Sequence, residues 1–172
     1  MDIVKIISGK YKGLTIATPG GKTHPMGARE RLALFNMIGE YLSGASVLDA
    51  FSGSGALGIE ALSRGASRVT FVEKDQKAVQ VIRTNLKKTN ASKEATVVKG
   101  DAYEINGQFD LVMADPPYDE FDATKILVLE KLVRPSGILV LSHPDEAPIV
   151  PEMELLKTRQ YAAAHISIYA KG

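Results

Sequence analysis

Asp49-Ala-Phe-Ser-Gly-Ser-Gly-Ala-Leu-Gly58 is the stretch whose reading decides the fold. Val47 and Leu48 before it read as the end of a buried strand. Ile59-Glu-Ala-Leu-Ser-Arg64 after it reads as a helix, with Gly65 as its C-terminal cap. Gly53, Gly55 and Gly58 thus form a G-x-G-x-x-G on a strand-to-helix turn, the context that separates a nucleotide-type site from a chance match. Such a turn must bend tightly, admit a ligand to its backbone, and seat the helix on the sheet. Glu73 closes the next apolar run, Val69-Thr-Phe-Val-Glu73, twenty residues after Gly53. An acid there accepts hydrogen bonds from ribose hydroxyls.

The turn also bears on which nucleotide. A diphosphate favours bare amides at a helix N-terminus. Here Asp49 ends the strand and points a carboxylate at the same opening. A carboxylate suits a cationic amino-acid end, such as that of S-adenosylmethionine. The bland alternative is an ordinary Gly-rich connection; Asp49 and Glu73 together weigh against it.

Outward from this stretch, strands alternate with helices. Residues 95–99 and 109–114 are further strands, and 138–141 is a fifth after a break at Pro135-Ser-Gly137. A helix capped by Asp75 runs to about Lys88 with Val79, Ile82 and Leu86 on its apolar face; another spans 122–133 with Leu127, Leu129 and Leu132 as core candidates. Residues 153–159 and 165–170 close the sheet as a hairpin. The fold class is α/β and Rossmann-like, a mostly parallel seven-stranded sheet with helices on both faces and a C-terminal antiparallel hairpin. Asp49, Glu73, Asp101 and Asp115 each follow or end a strand, so all four carboxylates are expected in one crevice.

Residues 3–8 and 13–18 form a separate hairpin whose loop carries Lys10, Tyr11 and Lys12, and a helix runs from about Ala28 to Leu42 with Arg29 and Arg31 on its first turn. Cations there oppose the helix dipole, which hints at an anionic ligand; a neighbouring acid is the alternative. Residues 1–31 hold six basic side chains against two acidic ones, on a chain of net charge +1, which suggests an anionic partner at one edge. Lysines flanking a tyrosine suit phosphate contact with base stacking; a solvated turn is the alternative. His24 reads as a solvated loop histidine. The organisation is residues 1–43 as an RNA-contacting extension and 44–172 as the catalytic domain. The absence of cysteine excludes disulfides, thiolate zinc sites and thiol nucleophiles. No apolar run approaches the roughly 20 residues that span a bilayer, and no signal peptide pattern is present.

Asp115-Pro-Pro-Tyr118 is the second informative stretch. Two prolines fix the backbone and remove two amide donors, leaving acceptors beside the carboxylate. Asp115 and the Pro116 carbonyl suit the two N–H donors of an exocyclic amino group, and Tyr118 offers a ring for a flipped-out base. The matching chemistry is direct methyl transfer from sulfonium to nitrogen, with no metal.

At these residues the chain resembles class I S-adenosylmethionine-dependent methyltransferases that modify amino groups. Ile6-Ile-Ser-Gly-Lys-Tyr-Lys-Gly13, Pro25, Arg29, Arg31, Ala33-Leu-Phe-Asn36 and Ala56 to Gly65 make it similar to the RsmD family, which methylates a guanine N2 in 16S ribosomal RNA. The resemblance implies a small-subunit rRNA substrate and a bacterial cytoplasm; the chain is expected to be a monomer. By position, Asp49, Gly53 and Gly55 line the methionine end, with Phe51, Ser52 and Lys74 as further cofactor contacts. Glu73 holds the ribose; Asp101 and Ala102 sit at the adenine. Asp115, Pro116 and Tyr118 hold the guanine, and Lys10, Tyr11, Lys12, Arg29 and Arg31 touch RNA. The chain departs from the family at Met26, Ala28 and Leu32, all on the N-terminal helix or its approach. An amino-methyltransferase of adenine in DNA or RNA shares the aspartate-proline-proline-tyrosine motif. A non-catalytic rRNA-binding assembly factor is the alternative of another class.

Overall fold

The computed structural model describes residues 2–20, 26–161 and 164–172. Lys22, His24 and Pro25 lie outside the described residues. A two-stranded hairpin, β1 (Ile3–Lys5) with β2 (Thr15–Ala17), precedes helix α1 (Ala28–Met37) and a short 3-10 turn, Gly39–Tyr41. The main sheet follows: β3 (Ser46–Asp49), α2 (Ala56–Ser63), β4 (Arg68–Glu73), α3 (Gln76–Lys88), β5 (Ala95–Lys99), β6 (Phe109–Ala114), α4 (Ala123–Glu130), β7 (Val133–His143), β8 (Met153–Tyr161) and β9 (Ala164–Lys171). Its seven strands are ordered β5-β4-β3-β6-β7-β9-β8. The first five are parallel, and β9 and β8 are antiparallel to their neighbours.

Strand side chains alternate between the two faces. Val47, Val69, Phe71, Met113 and Val140 join a core with α1, α2, α3 and the N-terminal hairpin. Leu48, Val72, Val112, Leu139 and Leu141 join a second core with Ile126 and Leu129 of α4. Strand order reverses between β3 and β6, so a crevice opens above their C-terminal ends.

Two details differ from the sequence reading. Leu129 and Leu132 are buried as expected, but Leu127 is exposed; Ile126, three residues before Leu129 on one helical face, is buried in its place. Pro135-Ser-Gly137 does not separate two elements. The strand continues through it as a bulge, because Phe109 pairs Val133 while Leu111 pairs Ile138.

Candidate active site

A cleft of about 1250 Å³ lies over the C-terminal ends of the parallel strands, bordered by Gly53, Glu73, Ala102, Asp115, Tyr118 and Ser142 among others. Small-ligand sites usually enclose about 300–1000 Å³. This one has room for a cofactor and a target base together. A smaller depression of about 440 Å³ at Pro151–Glu154 and Ala170–Gly172 sits at the opposite end of the sheet, away from the Gly-rich turn.

The Gly-rich turn is shaped by contact beneath it. A Cβ at Gly58 would stand 2.3 Å from the Phe71 ring and 2.9 Å from Val69, so α2 sits this close to β4 only with glycine there. Asp49 does not border the cleft. It is buried under the turn, where Oδ2 accepts a 3.0 Å hydrogen bond from the Gly58 amide. Burial pushes its carboxyl up to about 7, against that amide bond, with Asp115 and Glu73 adding negative charge. Position along the strand decides this: Asp49 is level with Phe71 on the face that α2 covers, and Glu73, two residues farther along that same face, reaches the cleft. Glu73 does border the cleft. Its Oε1 accepts from the Gly53 amide at 3.1 Å and its Oε2 from the Asp75 amide at 2.8 Å. An ionised carboxylate has about four lone-pair sites, so acceptor capacity remains toward the cleft. Phe51, Ser52 and Lys74 also line it.

Asp101 caps a short 3-10 turn, Ala102–Glu104, accepting from the Tyr103 amide at 2.9 Å, with Lys74 Nζ 3.9 Å away. Gly100, Ala102 and Tyr103 face the cleft there. Of the four acids expected together, Glu73 and Asp115 border the cleft, while Asp49 and Asp101 are turned to backbone amides.

Asp115 borders the cleft, and burial pushes its carboxyl up to about 6, with the neighbouring Ser142 hydroxyl acting in the opposite direction. The Tyr118 hydroxyl is also hydrogen-bonded to Ser142. Burial, and to a lesser extent Asp115, raises the Tyr118 pKa. Ser142 was not visible as a site residue in the sequence. Its signal was positional: it stands at the C-terminal end of the fifth parallel strand, where ligands meet such sheets. Tyr103, edge-on to Phe51 with centroids 5.4 Å apart, was missed likewise.

The cations divide. Arg31 borders the cleft but is only 2 % exposed, with Nη2 donating to the Lys5 carbonyl at 2.6 Å and Nε 3.7 Å from Glu60 Oε1. It locks α1 onto α2, so the anion its position called for is Glu60. Glu60 is itself fully buried; its Oε1 accepts from the Ile7 amide at 2.8 Å and its Oε2 from Arg64 Nε at 2.9 Å. Arg29 remains exposed on the first turn of α1, whose start borders the cleft at Met26 and Gly27. Lys10 and Lys12 are exposed, but their loop is fastened to the C-terminus of α2: the Lys10 amide donates to the Ser63 carbonyl and the Tyr11 amide to Ser63 Oγ, both at 2.9 Å. A Cβ at Gly9 would overlap Ser63 O at 1.9 Å, which fixes glycine at that contact. Tyr11 packs partly on the core beneath Lys10.

The family described as Conserved hypothetical protein 95 matches residues 4–170. The Haemophilus influenzae protein named Ribosomal RNA small subunit methyltransferase D is 30 % identical over 96 % of this chain and 93 % of its own length. The chain belongs to the RsmD family. Another relative, YlbH of Bacillus subtilis, is 34 % identical over 98 % of this chain and 99 % of its own. The solved structure of yhhF from Escherichia coli superposes with a TM-score of 0.90 at 29 % identity, covering 99 % of this chain and 98 % of that one. The matches of this RsmD-family chain to YlbH and yhhF run over nearly the whole of both partners. Among the described residues, no helix is long and apolar enough to cross a membrane.

Proposed function

We propose that this chain transfers a methyl group from S-adenosylmethionine to the exocyclic N2 of a guanine in 16S ribosomal RNA, as a cytoplasmic monomer acting on the small ribosomal subunit. The observation that carries the reading is the opposition, across one cleft, of the Gly53–Gly58 turn with Glu73 and the Asp115-Pro-Pro-Tyr118 corner. The donor set fits the cofactor: Glu73 retains acceptor sites for ribose hydroxyls, and a flat ring has Phe51 and Tyr103 beside it. When bound, S-adenosylmethionine supplies a methyl group activated on a sulfonium.

The chain's own residues do the rest. Asp115 accepts one hydrogen of the guanine amino group and the Pro116 carbonyl accepts the other, which holds the nitrogen lone pair toward the methyl carbon. The nitrogen–carbon bond forms as the carbon–sulfur bond breaks. Asp115 stabilises the positive charge arriving on nitrogen and accepts the proton it sheds. Tyr118, fastened through Ser142, gives the flipped base a fixed stacking surface. Much of the barrier reduction then comes from orientation. Residues 44–172 carry cofactor and base in this reading, and residues 1–43 form the extension on the RNA side.

The test is transfer of labelled methyl to small subunits lacking the modification, with the modified base mapped. Label on a guanine N2 is the expected result. Cofactor binding without transfer would leave an rRNA-binding protein instead, and label on adenine N6 would move the reaction to the alternative base.

A further inference from the structure

Resting on the reading above, we infer that the RNA strand flanking the target nucleotide runs along the exposed face of β8, over Lys157, Arg159 and Tyr161, and meets Arg29. Four observations support it.

The first is direction. The parallel strands end at the cleft, β9 starts there, and β8 therefore runs toward it; Tyr161, Ala164 and Ile166 line the cleft. The Lys10–Lys12 loop lies at the other end, docked on the C-terminus of α2, whose N-terminus is at the cleft. Eight helical residues separate the two ends by about 12 Å.

The second is register. Lys157 pairs with Ile168, Arg159 with Ile166 and Tyr161 with Ala164, so all three share the face on which α1 packs. The strip is uncovered: residues 154–160 are exposed throughout. Arg29, exposed at the start of α1, stands on the same side of the sheet.

The third is the sign of the opposite rim. The loop after Asp115 carries Asp119, Glu120 and Asp122, with Lys125 the one cation of that rim among the described residues lining the cleft apart from Lys74. A phosphate backbone is repelled there and attracted on the β8 side. The acids of the β8 side do not cancel this. Glu154 stands at the far end of the strand, opposite Ala170, and the Glu30 carboxylate folds back against Gly27.

The fourth is chemistry. Two cations alternating with a half-buried tyrosine offer phosphate contacts leading to a stacking ring at the cleft mouth.

Cations on an edge strand also guard against edge-to-edge pairing of two copies, so the experiment separates these roles. The full chain carrying Lys157→Glu with Arg159→Glu is compared with one carrying Lys10→Glu with Lys12→Glu. Binding to small ribosomal subunits lacking the modification is measured across a salt series, alongside S-adenosylmethionine affinity and sedimentation. For the β8 pair, we expect RNA affinity to fall at least about tenfold and the log–log salt slope to flatten by roughly 0.7–0.9 per lost phosphate contact. Cofactor affinity and sedimentation should match wild type, and the loop pair should change less. Unchanged RNA binding in the β8 variant overturns the inference, as does an equal loss in both variants. Self-association of the β8 variant with unaltered RNA affinity assigns the cations to guarding the edge. A wild-type chain that binds no such subunits removes the proposed function as well; wild-type binding with an unaffected β8 variant removes this inference alone.

Discussion

Two carboxylates in this molecule have raised pKa values for the same cause, burial, and with different consequences. Asp115, at about 6, borders the cleft. Its acceptor role needs the ionised form, so transfer should rise tenfold per pH unit below about 6 and level off above it. Asp115→Asn should remove that limb and lower kcat by about 10²-fold or more, with cofactor affinity little altered. A pH–rate profile with no inflection near 6 would dismiss the acceptor assignment. Asp49, at about 7, is sealed under the Gly-rich turn. Unfolded, an aspartate titrates near about 3.9. The folded chain therefore holds the proton more tightly. The stability this lends is full below about pH 4 and is lost as pH rises toward 7, by roughly 4 kcal/mol over the window. Asp49→Asn should erase that decline and leave the variant the more stable form at pH 8. Urea unfolding at pH 5 and pH 8 checks it; an unchanged gap between the two proteins would show the buried charge to be tolerated without cost.

At the scale of elements, the seating of α2 on β4 decides where the turn presents its amides. Gly58→Ala drives a methyl into the Phe71 ring and Val69. The helix must lift, and overpacking of this kind costs about 1–3 kcal/mol. Cofactor affinity should fall with stability, and Phe71→Leu in the same chain should restore part of both. Loss of stability with untouched cofactor affinity would mean that the turn does not depend on helix seating. This contact also shows how much was legible in advance. Periodicity and turn chemistry gave the strand–helix alternation, the Gly-rich turn, the Asp75 cap and the terminal hairpin, because those signals are local. How far a strand-end acid reaches past the covering helix is not local. Asp49 and Glu73 end adjacent strands and read alike, yet Asp49 is level with Phe71 under α2, while Glu73 stands two residues farther along the same face, at the cleft. Arg31 was misread for the same reason: its anion, Glu60, is 29 positions away and visible only once α1 lies on α2. Ser142 escaped because a serine at a strand end carries no pattern of its own.

Over the whole molecule, the extension and the sheet share one core. Val4, Ile6, Ile16, Leu34, Phe35 and Ile38, all from residues 1–43, are 8 % exposed or less and join the cluster that includes Ile59, Phe71 and Ile168. Each such side chain contributes about 1.5–3 kcal/mol when buried. Six of them together match or exceed the net stability of a domain, about 5–15 kcal/mol. Glu60 adds a polar reason: without the extension it loses the Ile7 amide and Arg31, leaving a buried carboxylate with Arg64 as its remaining charged partner. A buried charge stripped of partners typically costs about 3–5 kcal/mol. Residues 44–172 produced alone should therefore fail to fold, and the full chain carrying Tyr11→Trp, which places a single tryptophan in the extension of a chain with none, should unfold in one transition, with tryptophan fluorescence and far-ultraviolet circular dichroism tracing coincident urea curves. Two separated transitions, or a soluble and cooperatively folded 44–172 fragment, would show that the hairpin and α1 are an appendage. Coincidence would mean that any force RNA exerts on the extension reaches the Gly-rich turn through α2, since Glu60 and Gly58 lie on that one short helix.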